Sequence, residues 1–219
     1  MLLTYAIGDV HGCLRQLKEL IALCQEDSDG QPFKLIFVGD YIDRGPDSRD
    51  VVEHLMTLQQ ARPGQVICLM GNHEDMLLAA VDDADWEERW LRNGGIRTLE
   101  SYGVTHPRKI PRTHIDWLRR LPKTHDDGLR FFVHAGVHLD RPLDQQDDND
   151  MLWIREPFLS SNKDFGRRII HGHTPTKDGK PEVRINRLNI DTGAVFGGPL
   201  TAAVFTDRSP NVERFLVQA

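Results

Sequence analysis

Two carboxylates and a guanidinium, Asp40, Asp43 and Arg44, leave the end of an apolar run within five positions, in the stretch Gly39-Asp40-Tyr41-Ile42-Asp43-Arg44-Gly45-Pro46. Carboxylates gather cations and an arginine fork grips phosphate oxygens, so this loop carries the chemistry of a metal-assisted phosphate site. Taken alone, the same letters also describe a turn that uses Asp and Gly for their backbone habits. Four further loops decide between the two. Gly8-Asp9-Val10-His11-Gly12, Gly71-Asn72-His73-Glu74, His134-Ala135-Gly136 and Gly172-His173-Thr174 each follow an apolar run of their own. Together the loops supply Asp9, His11, Asp40, Asn72, His134 and His173, a set of carboxylate, amide and imidazole donors that suits manganese, iron or zinc, with no cysteine among them. A cap, a turn residue or a satisfied core histidine explains any one of these positions, but not five loops in series.

The elements that must position these loops are legible in the periodicity. Leu2 to Ile7, Leu35 to Val38 and Val66 to Met70 read as buried strands. After each loop come apolar residues at helical spacing: Leu14, Leu17, Leu20 and Ile21; then Val51, Val52, Leu55 and Leu58 in a helix from about Ser48 to Ala61; then Met76, Leu77, Leu78 and Val81. Three strand-loop-helix units predict a parallel sheet with right-handed crossovers and the polar loops at the strands' carboxyl ends, where open α/β sheets bind ligands. Asp47 or Ser48 is placed to cap the second helix.

From Asp82 to about His125 polar helical pieces containing Trp86, Trp90, Gly94-Gly95 and Trp117 read as a small helical insertion over one end of the sheet. Trp86, Trp90 and Leu91 share one helical face and are expected to pack inward, with Arg89, Arg92 and Arg97 in solvent. Strands resume at Leu129–Val133, Arg168–Ile170 and Asn189–Asp191, and Thr201–Thr206 with Val212–Val217 reads as a closing pair. The acidic stretch Asp147-Asp148-Asn149-Asp150 lacks the spacing of a calcium-binding hand and reads as a solvated turn. Cys13 stands at a helix start, where the dipole lowers a thiol pKa, and a redox role is weighed there against simple packing.

At 219 residues and 25.0 kDa the chain is expected to form one domain, residues 1–219, around a single core. A formal charge of −6 argues against broad adhesion to nucleic acid or anionic membrane. No apolar segment approaches membrane-spanning length, the opening residues lack a basic flank, and three cysteines without paired spacing fit a reducing compartment, so a cytoplasmic location is expected.

In their order and residues, the five motifs resemble the calcineurin-like metallophosphoesterases, and more narrowly the phosphoprotein phosphatase branch in its small bacterial and lambda-phage form. The match runs from Asp9 to about Ala194. The resemblance implies an α/β fold, a β-sandwich flanked by helices in an αββα arrangement, with the parallel units forming one sheet and the later strands a mixed second one. It assigns Asp9, His11 and Asp40 to one divalent metal and Asp40, Asn72, His134 and His173 to another, with Asp40 as the bridge and His171 as a neighbour. It further implies direct attack on phosphorus by a metal-activated water, His73 as general acid paired with Asp43, and Arg44, Asn72 and Arg155 as phosphate-binding groups, Arg155 lying in Trp153-Ile154-Arg155-Glu156. Pro175 stands where nuclease and phosphodiesterase relatives carry a second histidine, which lowers the nuclease reading. The expected substrate is a phosphomonoester, phosphoserine or phosphothreonine in a phosphorylated protein, with phosphotyrosine also open. A symmetrical dinucleoside tetraphosphatase is the rival, and an inactive phosphoprotein-binding scaffold the reading from a different class.

Overall fold

The computed structural model describes residues 1–219. The first half is built as the periodicity requires: β1 (Leu3–Ile7), α1 (Leu14–Asp27), β2 (Phe33–Phe37), α2 (Ser48–Ala61), β3 (Val66–Cys68) and α3 (Asn72–Asp82). β1, β2 and β3 pair in parallel. Short helices follow, α4 (Glu87–Trp90), α5 (Ile96–Tyr102) and α6 (Arg112–Arg119). The remainder runs β4 (Thr124–Asp126), β5 (Arg130–Val133), α7 (Asp148–Trp153), β6 (Arg168–His171), β7 (Glu182–Val183), β8 (Arg187–Asn189), β9 (Leu200–Thr206) and β10 (Arg214–Gln218).

Two five-stranded sheets result, ordered β10-β9-β1-β2-β3 and β4-β5-β6-β8-β7. The closing pair therefore departs from the expected arrangement. β9 inserts antiparallel against β1, and β9 and β10 complete the first sheet rather than the second. The mixed character of the second sheet comes instead from β4 and β7, two short strands that no periodicity announced.

Period-two alternation sorts the side chains into layers. Leu3, Tyr5 and Ile7 of β1, Leu35 and Phe37 of β2, and Ala202 and Val204 of β9 face the helices α1 to α3. Ala6, Ile36, Ala203 and Phe205 face the opposite way and meet Phe132, Ile170 and Leu188 of the second sheet. The outer face of that sheet, through Phe131, Val133 and Ile169, is closed by Met151 of α7 and by Phe158. Helices, sheet, sheet and helix thus form the αββα stack. No helix is long and apolar enough to cross a membrane.

Two local expectations change, and one is kept. Asp47 occupies the N-cap of α2 without making a side-chain cap bond. The acidic stretch is a helix start, not a solvated turn: Asp147 caps α7 by accepting from the Asp150 N–H at 3.0 Å. Burial pushes the Cys13 thiol up to about 11 despite the helix end, which disfavours the thiolate and accords with the packing role weighed for it.

Candidate metal centre

The five loops meet at one end of the two sheets. β1 delivers Asp9 and His11, β2 delivers Asp40, Asp43 and Arg44, β3 delivers Asn72 and His73, β5 delivers His134, and β6 delivers His173. Asp9, His11, Asp40, Asp43, Asn72, His73, His134 and His173 are all buried.

Asp40 lies in the middle. Its Oδ2 is 3.4 Å from His11 Nε2 and 3.9 Å from His73 Nε2, and its Oδ1 is 3.4 Å from His134 Nε2. Two groups of metal-capable atoms share it: His11, Asp40 and His73, and Asp40, His134 and His173, with the atoms of each group within 4.8 Å of one another. Asp9 is fixed from the second sheet, its carboxylate accepting the His173 backbone N–H at 3.1 Å.

Backbone carbonyls set the imidazoles. His11 Nδ1 bonds Ile42 O at 2.8 Å and His134 Nδ1 bonds Val38 O at 2.9 Å. A carbonyl only accepts, so each Nδ1 carries the proton and each Nε2 turns its lone pair toward Asp40. Burial pushes His11 down to about 3 and lowers His134 and His173 as well, which leaves these rings neutral, the form that binds a cation. His73 goes the other way. Burial opposes its charge, but the Asp40 carboxylate and the 2.7 Å bond from Nδ1 to Asp43 Oδ2 together raise it.

The residues fit a divalent cation on two observations. Asn72 Oδ1 lies 2.8 Å from His134 Nε2 and 2.8 Å from His173 Nδ1, so an amide oxygen and an imidazole lone pair confront one another, as ligands of a common ion do. Burial pushes up Asp9 and Asp191, the latter to about 7, with repulsion from Asp191 and Asp40 added at Asp9 and from Asp40 at Asp191, a crowding of buried carboxylates that a cation relieves.

Arg44 reaches His11 Nε2 with Nη1 at 2.6 Å and lies over the exposed ring of Phe196, 5.5 Å from its centroid. Arg155 is exposed and contributes positive charge at His173. His171 turns away toward Arg187, 3.2 Å from its Nη1, consistent with its reading as a neighbour.

Sequence reasoning missed three contributors. Asp191 ends an apolar run and enters a Gly-containing loop, the same signal that picked out the other five loops. Trp90 and Thr98, both fully buried, hydrogen-bond the Asp43 carboxylate. The Gly94-Gly95 pair between them was the available signal. Trp86, expected inward, is 39% exposed, with the Arg89 guanidinium held between its ring and that of Trp153.

An αββα sandwich with a His/Asp/Asn cluster at its loop end defines a metal-binding phosphoester hydrolase. The chain belongs to the calcineurin-like phosphoesterase family, whose model matches residues 2–198, and within it to the phosphoprotein phosphatase branch. It is 32% identical to serine/threonine-protein phosphatase 1 of Salmonella typhimurium over 91% of this chain and 90% of that one. It is 34% identical to a symmetrical bis(5'-nucleosyl)-tetraphosphatase of Nitrosospira multiformis over 93% of each. Among solved structures, one described as a diadenosine tetraphosphatase superposes with a TM-score of 0.72 at 22% identity, covering 99% of this chain and 94% of that one.

Proposed function

We propose that the protein hydrolyses phosphomonoesters, with phosphoserine and phosphothreonine in proteins as the principal substrates and phosphotyrosine also accepted. The observation that carries this reading is the buried Asp43–His73 pair at 2.7 Å. A serine alkoxide leaves poorly and needs a proton in the transition state, whereas a nucleotide leaves a phosphoanhydride as a stable anion with little help. A charged imidazole held by a buried carboxylate therefore favours an ester with a poor leaving group.

Asp9, His11 and Asp40 would hold one cation and Asp40, Asn72, His134 and His173 a second, with manganese proposed from the hard and intermediate donor set. When bound, such ions neutralise the phosphoryl oxygens and make water acidic enough to supply the nucleophile. The chain's own groups do the rest. Arg44 and Arg155 present planar forks to the phosphate, Asn72 adds its amide, and His73 gives its Nε2 proton to the departing oxygen while Asp43 retains the imidazole's orientation.

A tetraphosphatase is the second reading, favoured by one feature: the exposed Trp86, with Arg89 4.9 Å above its ring, offers a base and a polyphosphate something to grip. Trp90, at the end of α4, is buried and cannot stack on a substrate.

Measuring kcat/KM side by side on phosphoserine, phosphothreonine and phosphotyrosine peptides and on dinucleoside tetraphosphate separates the two. The peptides are expected to be preferred, with the Trp86→Ala variant keeping that preference. A preference for the dinucleotide that disappears in Trp86→Ala would establish the rival.

A further inference from the structure

The Asp43 carboxylate is completely buried, and both of its oxygens are occupied. Oδ2 faces His73 Nδ1 at 2.7 Å and accepts from Trp90 Nε1 at 3.0 Å. Oδ1 accepts from Thr98 Oγ1 at 2.6 Å and again from Trp90 Nε1 at 3.1 Å. The Thr98 hydroxyl is itself placed: its oxygen accepts the Asp43 backbone N–H at 2.9 Å, and of the two acceptors in its reach Asp43 Oδ1 at 2.6 Å is nearer than Ser48 Oγ at 3.2 Å. Two of the three side chains that hold this carboxylate thus come from the helices after α3, not from the loops of the metal centre.

Their backbone is shaped for the same contact. Gly94 has φ +105°, where a side chain is strained, and its carbonyl accepts the Arg44 N–H at 3.2 Å; a Cβ there would lie 2.8 Å from Arg44 Cγ. A Cβ on Gly95 would come within 2.4 Å of the Trp90 indole, so the ring lies flat on that backbone only because the position is glycine. The kinked segment grips Arg44 by its main chain and Asp43 by two side chains.

We infer that Trp90 and Thr98 are positioning residues of the phosphoryl-transfer step. Through Asp43 they fix the His73 imidazole with Nε2 toward the phosphate site. A carboxylate buried this fully needs a donor on each oxygen, and Trp90 and Thr98 supply them to the same carboxylate that holds the His73 ring. Holding both oxygens prevents the carboxylate from rotating, and with it the ring that donates the proton. This inference rests on the acid role proposed for His73.

The test compares Trp90→Phe, which removes only the indole N–H, Thr98→Val, which removes only the hydroxyl, and Thr98→Ser, which keeps it. Each is loaded with manganese to the same stoichiometry and assayed on a phosphoserine peptide and on p-nitrophenyl phosphate, whose leaving group needs little protonation. Trp90→Phe and Thr98→Val are expected to lose about 10- to 100-fold in kcat on the peptide, the usual effect of removing a group that orients a functional histidine, with KM nearly unchanged and a much smaller loss on the aryl ester. Thr98→Ser should restore the peptide rate. A second readout needs no turnover: in a proton–nitrogen correlation spectrum, Asp43→Asn should move the Trp90 indole signal and leave those of Trp86, Trp117 and Trp153 in place.

His73→Asn is the control for the underlying reading. Selective loss on the peptide in His73→Asn, with no selective loss in Trp90→Phe or Thr98→Val, overturns the positioning role alone. Equal loss on both substrates in His73→Asn overturns the acid role and the positioning role together. If Trp90→Phe does not fold, the Thr98 pair decides, since valine and serine bracket the hydroxyl: equal peptide rates for the two reject the inference.

Discussion

Asp40 is the one side chain that faces both halves of the cluster, with one oxygen toward His11 and the other toward His134. Replacing it by asparagine removes the shared charge while keeping the shape. Asp40→Asn is expected to bring bound metal from two equivalents to below one, as read by elemental analysis of protein recovered from gel filtration; a variant that keeps two equivalents and full activity would refute the bridging role. The residue types at this site were readable because each follows an apolar run. Their backbone was not. His11, Asp40, Asp43, Arg44 and His173 all have positive φ, from 44° to 71°, in the left-handed region that non-glycine residues avoid at a cost on the order of 1–3 kcal/mol each. Such strain persists only where surrounding contacts enforce it, and those contacts join segments far apart in the chain. Asp191 escaped for a related reason, since Thr192-Gly193 beside it looks like any turn until the fold brings it to Asp9.

The start of α3 is where an element enforces that strain. Glu74 Oε2 accepts the N–H groups of Asp40 and Gly71, each at 2.9 Å, and Oε1 accepts those of Tyr41 at 2.8 Å and Ile42 at 3.3 Å. Burial and the Asp40 charge push the Glu74 carboxyl up to about 8, but four N–H donors and no acceptor opposite favour its ionised form, and one helix residue so holds the organising loop after β2 in its unusual course. Glu74→Gln puts an amide N–H2 against those donors and should lower unfolding free energy by about 2–3 kcal/mol in urea titrations, the usual cost of a buried polar group left unsatisfied. A change within the roughly 0.5 kcal/mol of an ordinary surface substitution would show that the loop holds itself. At this scale the sequence was informative about strong helices: α2 spans Ser48–Ala61 as its apolar spacing indicated. It was uninformative about pairing. A strand's alternation records which face is buried, not which strand lies beside it, so β9 and β10 read correctly as a pair and incorrectly as part of the second sheet. β4 and β7, at three and two residues, are too short to show alternation at all.

Across the whole molecule, the returning hairpin is tied to the first helix. Arg214 of β10 donates to Asp27 at the end of α1 through Nε at 2.9 Å and Nη2 at 2.5 Å, and the Tyr5 hydroxyl of β1 donates to the same carboxylate at 2.7 Å. The Arg214 hydrogen bond chiefly, with Tyr5, holds the Asp27 carboxyl below its ordinary value. A depressed folded-state pKa means stability present above the unfolded value, near 4, and lost as pH falls through the folded one. Asp27→Asn should therefore cost about 1 kcal/mol at pH 7, since the groups are partly exposed, and the difference from the parent should shrink below about pH 4. Urea midpoints at both pH values check this, and a gap that is constant or widens in acid would contradict it. The same topology sets an order of events while the chain is being made. β1 is buried along its whole length between β2 and β9, yet β2 is complete by Phe37 and β9 only by Thr206. At about 5–20 residues per second, roughly 10–30 s of synthesis separate the two partners. For that interval the central strand of the first sheet presents an open apolar edge, and the nascent chain is then most exposed to edge-to-edge association and to capture by chaperones. Slow translation across the middle of the message lengthens this window, so codon choice there bears on the yield of folded protein although it alters no residue.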